Sequence, residues 1–281
     1  SLIAGRQPVR NCHVNACGGC RRSYCRGVAT TWSANRLGDM TGKRVIVTGA
    51  TNGVGLGTAT ALARAGAHVI LAVRNLDLGA QRAAEMGGDT SVVKLDLADL
   101  SSVEAFPGLF DGDVDILINN AGVVAQHRDE TVDGFEMTMG TNFLGPFALT
   151  NLLFDRVRSK IVNVGSDAHK SASIAFDDPH LRSRKWSAFP AYGRSKLAVM
   201  LWGLELDRRL RDVGSPVTST SNRSPSGPKR QSGSRCSSPI SQFTVAVTTA
   251  TPSTSARQWN RRAATSPGSI TPIGDSMGAV A

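Results

Sequence analysis

Between Met40 and Val213 the chain has no cysteine. No disulfide framework can support that region, so its stability must come from a hydrophobic core, and a reducing, cytoplasmic setting is expected. Nowhere does a run of about 18 apolar residues occur, so no helical membrane span is expected. The opening "SLIAGRQPVR" lacks the apolar centre of a secretory signal. Leucine is missing from residues 214–281, although residues 40–213 contain 20. Of those last 68 residues, 37 are Ser, Thr, Pro or Gly. Little apolar surface remains there to offset ordering entropy, so the tail is expected to be largely disordered, with only "FTVAVTTA" (243–250) reading as a strand. Acidic side chains are scarce at both ends. Residues 1–39 and 214–281 together hold 13 of the 32 Lys and Arg but 2 of the 22 Asp and Glu, leaving 19 basic and 20 acidic side chains in 40–213. The net charge of +10 therefore belongs to the ends, and no specific nucleic-acid partner is expected.

What is present divides the chain into three. Four of the five cysteines, Cys12, Cys17, Cys20 and Cys25, crowd into the first segment. Their C-x4-C-x2-C part has an iron–sulfur spacing, but no strand or hairpin pattern surrounds it. Residues 1–39 are accordingly expected to be an unstructured leader without a metal, with Met40 resembling a natural start. Residues 40–220 alternate short β-branched runs with longer helical stretches. "RVIVTG" (44–49), "HVILAV" (68–73), "SVVKLDL" (91–97), "VDILINNAG" (114–122), "KIVNVGS" (160–166) and "SPVTSTS" (215–221) read as strands. Residues 53–66, 76–86, 131–158 and 191–212 read as helices, the last with Leu197, Leu201 and Leu204 along one side. This alternation predicts an α/β fold with a doubly wound parallel sheet. Residues 221–281 form the basic Ser/Thr/Pro-rich tail.

"TGATNGVGLG" (48–57) joins the first strand to the first helix. Gly49, Gly53 and Gly55 permit a tight turn and let the backbone approach a pyrophosphate. The helix that follows offers unpaired N–H groups and a positive dipole end to that anion. At the end of the second strand, an acid would suit the ribose of NAD, whereas a base suits the 2′-phosphate of NADP. The residue there is Arg74, which is either that phosphate ligand or a solvated surface arginine. Asp96 ends the third strand, where it would contact adenine or cap the helix after it. Tyr192 and Lys196 are four apart on a helix and share a face. An ammonium beside a phenol favours the phenolate, which makes Tyr192 a candidate acid–base. Ser166 stands at the carboxyl end of the fifth strand, where ligands of parallel sheets bind. His169 does not make a Ser-His hydrolase, since no G-x-S-x-G elbow is present. The carboxylates of "FDGDVD" (110–115) read as a solvated turn.

Taken together, "TGATNGVG", "NNAG" (119–122), "TNFLGPFALTNLL" (141–153), "IVNVGS" and "YGRSK" resemble the short-chain dehydrogenase/reductase family, from about 42 to 220. "AVRN" and "IVNVGSDAH" are similar to its retinol-dehydrogenase and protochlorophyllide-reductase-like branch. The resemblance implies a Rossmann fold and hydride transfer between NADP(H) and a small alcohol or carbonyl substrate, expected to be apolar. It also implies roles. Tyr192 exchanges the proton. Lys196 binds the nicotinamide ribose and tunes Tyr192. Ser166 orients the substrate oxygen, and Asn142 supports a proton relay. Asn52, Val54, Leu97, Asn120, Ala121 and Gly122 join the glycines, Arg74 and Asp96 around the cofactor. A homo-oligomer paired through the 131–158 and 191–212 helices is expected on the same ground.

The resemblance breaks after the sixth strand. The family continues with a Pro-Gly turn, substrate-binding helices and a seventh strand. This chain has "SNRSPSGPKRQSGSRC" (221–236), in which Pro225-Ser226-Gly227 is a poor substitute. A shifted reading frame would produce such a change, so a sheet without its last strand, poor solubility and weak activity are expected. The alternatives are an inactive chain that binds cofactor weakly, or polyanion binding through the basic ends.

Overall fold

A computed structural model describes residues 37–221. The expectations for the four leader cysteines, for Pro225-Ser226-Gly227, for the strand at 243–250 and for the tail lie outside the described residues. The element order is β1 (Arg44–Thr48), α1 (Gly53–Arg64), β2 (His68–Val73), α2 (Leu76–Met86), β3 (Thr90–Lys94), α3 (Leu100–Ala105), β4 (Val114–Asn119), α4 (Met137–Met139), α5 (Gly145–Leu153), β5 (Val157–Asn163), α6 (Ala188–Asp212) and β6 (Thr218–Ser221). A wide π turn, Gly140–Leu144, joins α4 to α5 without a break, and a 3₁₀ turn, Asp167–Ser171, precedes α6.

The six strands form one parallel sheet in the order β3-β2-β1-β4-β5-β6. Strands of such a sheet are buried on both faces, which is why β1 and β2 read as continuous apolar runs. Alternate side chains of β1 serve opposite cores. Val45 and Val47 pack with Ala59, Leu62 and Ala63 of α1 and Met86 of α2. Ile46 packs with Val103 of α3, Leu149 and Leu153 of α5, and Trp202 of α6. On that second face Phe147 and Trp202 meet edge-on, 5.7 Å between ring centroids. The chain runs outward from β1 to β3 and then returns to place β4 beside β1. Strand order reverses between these two, and a crevice opens there at their carboxyl ends.

Several boundaries differ from the sequence reading. The helix expected over 131–158 begins at Met137, because Thr131–Phe135 closes on itself. The Thr131 N–H donates to the Phe135 carbonyl at 2.8 Å, and Gly134 has φ +77°. The same helix ends before Val157, which already belongs to β5. β3 stops at Lys94 rather than 97. The helix expected after Asp96 is α3, and Asp99, not Asp96, caps it by accepting from the Ser101 and Ser102 N–H groups. The side of α6 that faces the core is Ala191, Ser195, Ala198, Val199, Trp202, Leu206 and Leu210. Leu197 and Leu201 are half-buried and Leu204 is exposed. The "FDGDVD" turn is anchored more firmly than a solvated loop. Asp115 accepts from Lys43 Nζ at 2.8 Å and from the Arg44 N–H at 2.9 Å, and the Arg156 guanidinium lies 4.2 Å over the Phe110 ring. Among the described residues, no helix is long and apolar enough to cross a membrane.

Candidate active site

The glycine-rich loop leaves β1 at the crevice. Gly49 has φ +66°, and a Cβ there would lie 2.9 Å from Ala121 Cα. A Cβ on Gly55 would collide with the Gly49 carbonyl and Asn120 Nδ2. Both positions therefore need glycine for β1, α1 and the end of β4 to meet. Thr48 ties the two strand ends together. Its Oγ1 accepts from the Asn120 and Ala121 N–H groups, each at 3.0 Å. Asn120 Nδ2 donates back to the Thr48 carbonyl at 2.9 Å and the Gly49 carbonyl at 3.3 Å. Thr48 was not singled out from the sequence, because a threonine ending a strand carries no signal of its own.

Asn52 precedes α1 without capping it by a side-chain hydrogen bond, and no acidic residue lies in the first turn. Gly53, at φ +53°, and the exposed Val54 open that turn. An uncapped N-terminus above glycines fits an anion. The residues present thus fit a dinucleotide pyrophosphate. Arg74 is exposed at the end of β2, and Arg82 of α2 reaches the loop by donating from Nε to the Thr51 carbonyl at 3.2 Å. Asp96 is half-buried, and its carboxylate accepts from the Ala98 N–H at 3.0 Å. Leu97 is buried, and its carbonyl stands so close to Gly145 that a Cβ there would collide with it.

Across the crevice, Asn142 sits in the π turn and is 2 % exposed. Its Oδ1 accepts from the Val123 N–H at 2.7 Å, while Nδ2 donates to the Val123 carbonyl at 2.9 Å and to Ser195 Oγ at 3.0 Å. Ser195 Oγ in turn donates to the Tyr192 carbonyl at 2.8 Å. Ser195 is a second residue that the sequence reading missed. Lys196 is 4 % exposed, and its Nζ donates to the Val164 carbonyl at 2.9 Å. The same Nζ lies 5.8 Å from the centre of the Tyr192 ring. Burial pulls Lys196 down to about 8. A Cβ on Gly122 would stand 3.3 Å from Asn142 Oδ1 and 3.4 Å from Lys196 Nζ, so Gly122 lies between them.

Ser166 is half-buried two residues beyond Val164, and its Oγ accepts from the Ala168 N–H at 3.3 Å to start the 3₁₀ turn. That turn packs on α6 where Gly193 permits it, since a Cβ at 193 would lie 2.8 Å from the Ala168 carbonyl. His169 faces the Ser166 carbonyl through Nδ1. The structure thus gathers Gly122, Asn142, Tyr192 and Lys196, with the Ser166 turn against α6, while Gly49, Gly53, Gly55 and Asn120 gather at the neighbouring strand end. Chemically, a phenol beside a buried amine can pass a proton to an oxygen placed in the crevice.

Comparison with known proteins agrees with this fold. The model of the short chain dehydrogenase family matches residues 43–219. Human retinol dehydrogenase 13 is 44% identical over 188 residues, which cover 63% of this chain and 57% of that protein. The chain therefore spans little more than half the length of that relative. A solved structure of an uncharacterized protein from Mycobacterium paratuberculosis is 47% identical and superposes with a TM-score of 0.66, covering 68% of this chain and 70% of the other. The Pseudomonas aeruginosa RhlG/NADP active-site complex is 25% identical with a TM-score of 0.53, covering 65% of this chain and 72% of the other.

Proposed function

Because the chain belongs to the short-chain dehydrogenase family, we propose that it is an NADP(H)-dependent oxidoreductase that interconverts an apolar alcohol and its carbonyl partner. The observation that carries this reading is the convergence of Asn142, Tyr192 and Lys196 around Gly122, beside a glycine-rich loop that fits a pyrophosphate. The bound cofactor supplies or accepts the hydride. The Tyr192 hydroxyl then gives its proton to the substrate oxygen during reduction and takes it back during oxidation. Lys196, pulled down to about 8 by burial, is still largely cationic at neutral pH. Its charge favours the phenolate of Tyr192 and so assists proton exchange. Asn142 holds the backbone of Val123 and, through Ser195, that of Tyr192, which fixes the spacing of the two sides. Ser166 orients the substrate oxygen from the end of β5.

The preference for NADP over NAD rests on Arg74, a base where an acid would suit the free ribose. The apolar substrate rests on the relation to a retinol dehydrogenase. The stripe of Leu197, Leu201 and Leu204, only partly buried on α6, supports a homo-oligomer. Thermal unfolding with and without NADPH tests the cofactor assignment. A ligand at a hundred times its Kd stabilises by about 2.7 kcal/mol, so a clear rise in Tm is expected. No rise with NADPH or NADH would contradict the reading.

A further inference from the structure

The first turn of α6 lacks a cap of its own. Ser187 stands at the N-cap with extended backbone but makes no side-chain cap bond, and no acidic residue follows in the first turn. Tyr192 is the fifth residue of this helix. It therefore follows directly on the turn whose N–H groups lack intrahelical partners, the Ala191 N–H already donating to the Ser187 carbonyl at 3.0 Å. Proton exchange nevertheless requires its hydroxyl to be held in place.

The support comes from a residue 50 positions earlier. Trp186, half-buried immediately before the N-cap, donates its indole N–H to Glu136 Oε1 at 3.1 Å. Glu136 is 2 % exposed. The same Oε1 accepts from the Thr138 N–H at 3.1 Å, and Oε2 from the Met139 N–H at 2.8 Å. Its own backbone N–H donates to His180 Nδ1 at 3.2 Å, and His180 stacks on Phe135 at 5.3 Å. One buried carboxylate thus caps the helix that runs on to Asn142 and also holds the approach to the helix that carries Tyr192 and Lys196. The Asn142–Ser195 hydrogen bond is a second rung between the same two helices.

We propose that Glu136, acting through Trp186, is a positioning residue that anchors the uncapped start of α6 and sets Tyr192 against Asn142. The role rests on the proposed oxidoreductase function. It touches neither the cofactor loop nor the reacting atoms. Loss of the indole bond should therefore loosen Tyr192 and leave the dinucleotide side intact.

Trp186→Phe removes the indole donor but keeps the ring, and Glu136→Leu keeps the bulk while removing the oxygen that receives the indole N–H. Misplacement of a reacting group by about an ångström costs on the order of a hundredfold, so a fall in kcat of about tenfold is expected in either variant, with the NADPH Kd changed less than about twofold. The double variant should fall no further than the deeper single one, since both break the same bond. Hydrogen exchange of the full chain should show faster exchange in 188–192 in both variants. Wild-type kcat in Trp186→Phe overturns the proposal even if exchange quickens, because the bond would then be structural only. If the wild-type chain turns over no substrate, the proposed function fails. The exchange measurement then decides the clamp alone: faster exchange at 188–192 supports it, and unchanged exchange overturns it.

Discussion

The glycine-rich loop after β1 meets its ligand side through backbone packed on the end of β4, while the interior ends of β4 and β5 and the neighbouring β6 are organised by side chains. At the first, Gly49 and Gly55 let two strands and a helix approach, and the polar groups in play are carbonyls and N–H groups joined by Thr48 and Asn120. At the second, Asn119 Nδ2 donates to Thr150 Oγ1 at 3.0 Å and to Asn163 Oδ1 at 2.9 Å, and Ser219 Oγ continues the line to the Gly203 carbonyl at 3.2 Å. Asn142, Ser195 and Lys196 extend this buried polar set to the crevice. A buried polar group left without its partner costs about 1–3 kcal/mol, so the paired donors of the second region are exacting, although Asn119 Oδ1 itself has no partner among the described residues. The first region depends on absent side chains. The difference separates binding from chemistry, and the two should fail separately when each is damaged.

The largest separation is expected from Tyr192→Phe. Acid–base groups contribute about a hundredfold to ten-thousandfold, so turnover should fall by roughly a thousandfold while NADPH affinity stays within about twofold, as steady-state kinetics and fluorescence titration would report. Gly55→Ala strikes the other region. The added methyl collides with the Gly49 carbonyl and Asn120, and overpacking costs about 1–3 kcal/mol, so both Tm and NADPH affinity should drop. Arg74→Asp should weaken NADPH by at least about tenfold, or about 1.4 kcal/mol, with little change for NADH. Equal affinities of the unmodified chain for the two dinucleotides would remove the assignment.

A separate, pH-dependent effect concerns Lys196. Burial holds it at about 8, below its ordinary 10.5. The folded-state value is the depressed one, so the folded chain favours the neutral amine. The stabilising contribution is present above 10.5 and is lost as pH falls through about 8. In the cofactor-free protein, the Tm of the wild type relative to Lys196→Met should therefore rise between those values and stay flat below them. Asp178 gives the opposite case. Burial works to raise its carboxyl, but the N–H groups of Arg182, Ser183 and Arg184 and the Ser183 hydroxyl outweigh it and hold it at about 2.

These differences also explain what the sequence could tell. β1, β2 and β4 were legible as largely buried apolar runs, and β5 through Ile161 and Val162 at its end, although Arg158, Ser159 and Lys160 are exposed. The glycine loop was legible because its geometry forbids other residues. The core side of α6 was not legible, since its buried stripe includes Ala191, Gly193, Ser195, Lys196 and Gly203, which carry little hydropathy. Asp96 was open as a cap because Asp99, three residues on, has the same chemistry. Glu136, Ser195 and Asn163 had no local signal at all. Their partners lie 50, 53 and 44 residues away, and only the assembled sheet brings them together.

In the proposed reaction the dinucleotide held by the glycine-rich loop transfers the hydride, and the side chains around Gly122 place the substrate oxygen and move the proton. The most direct test incubates the full chain with NADPH deuterated at the transferable position and an apolar aldehyde, and analyses the products by mass spectrometry. The account predicts an alcohol bearing one deuterium on its carbinol carbon, in an amount matching the NADPH oxidised. Bound NADPH that stays intact, or an alcohol without the label, would contradict it.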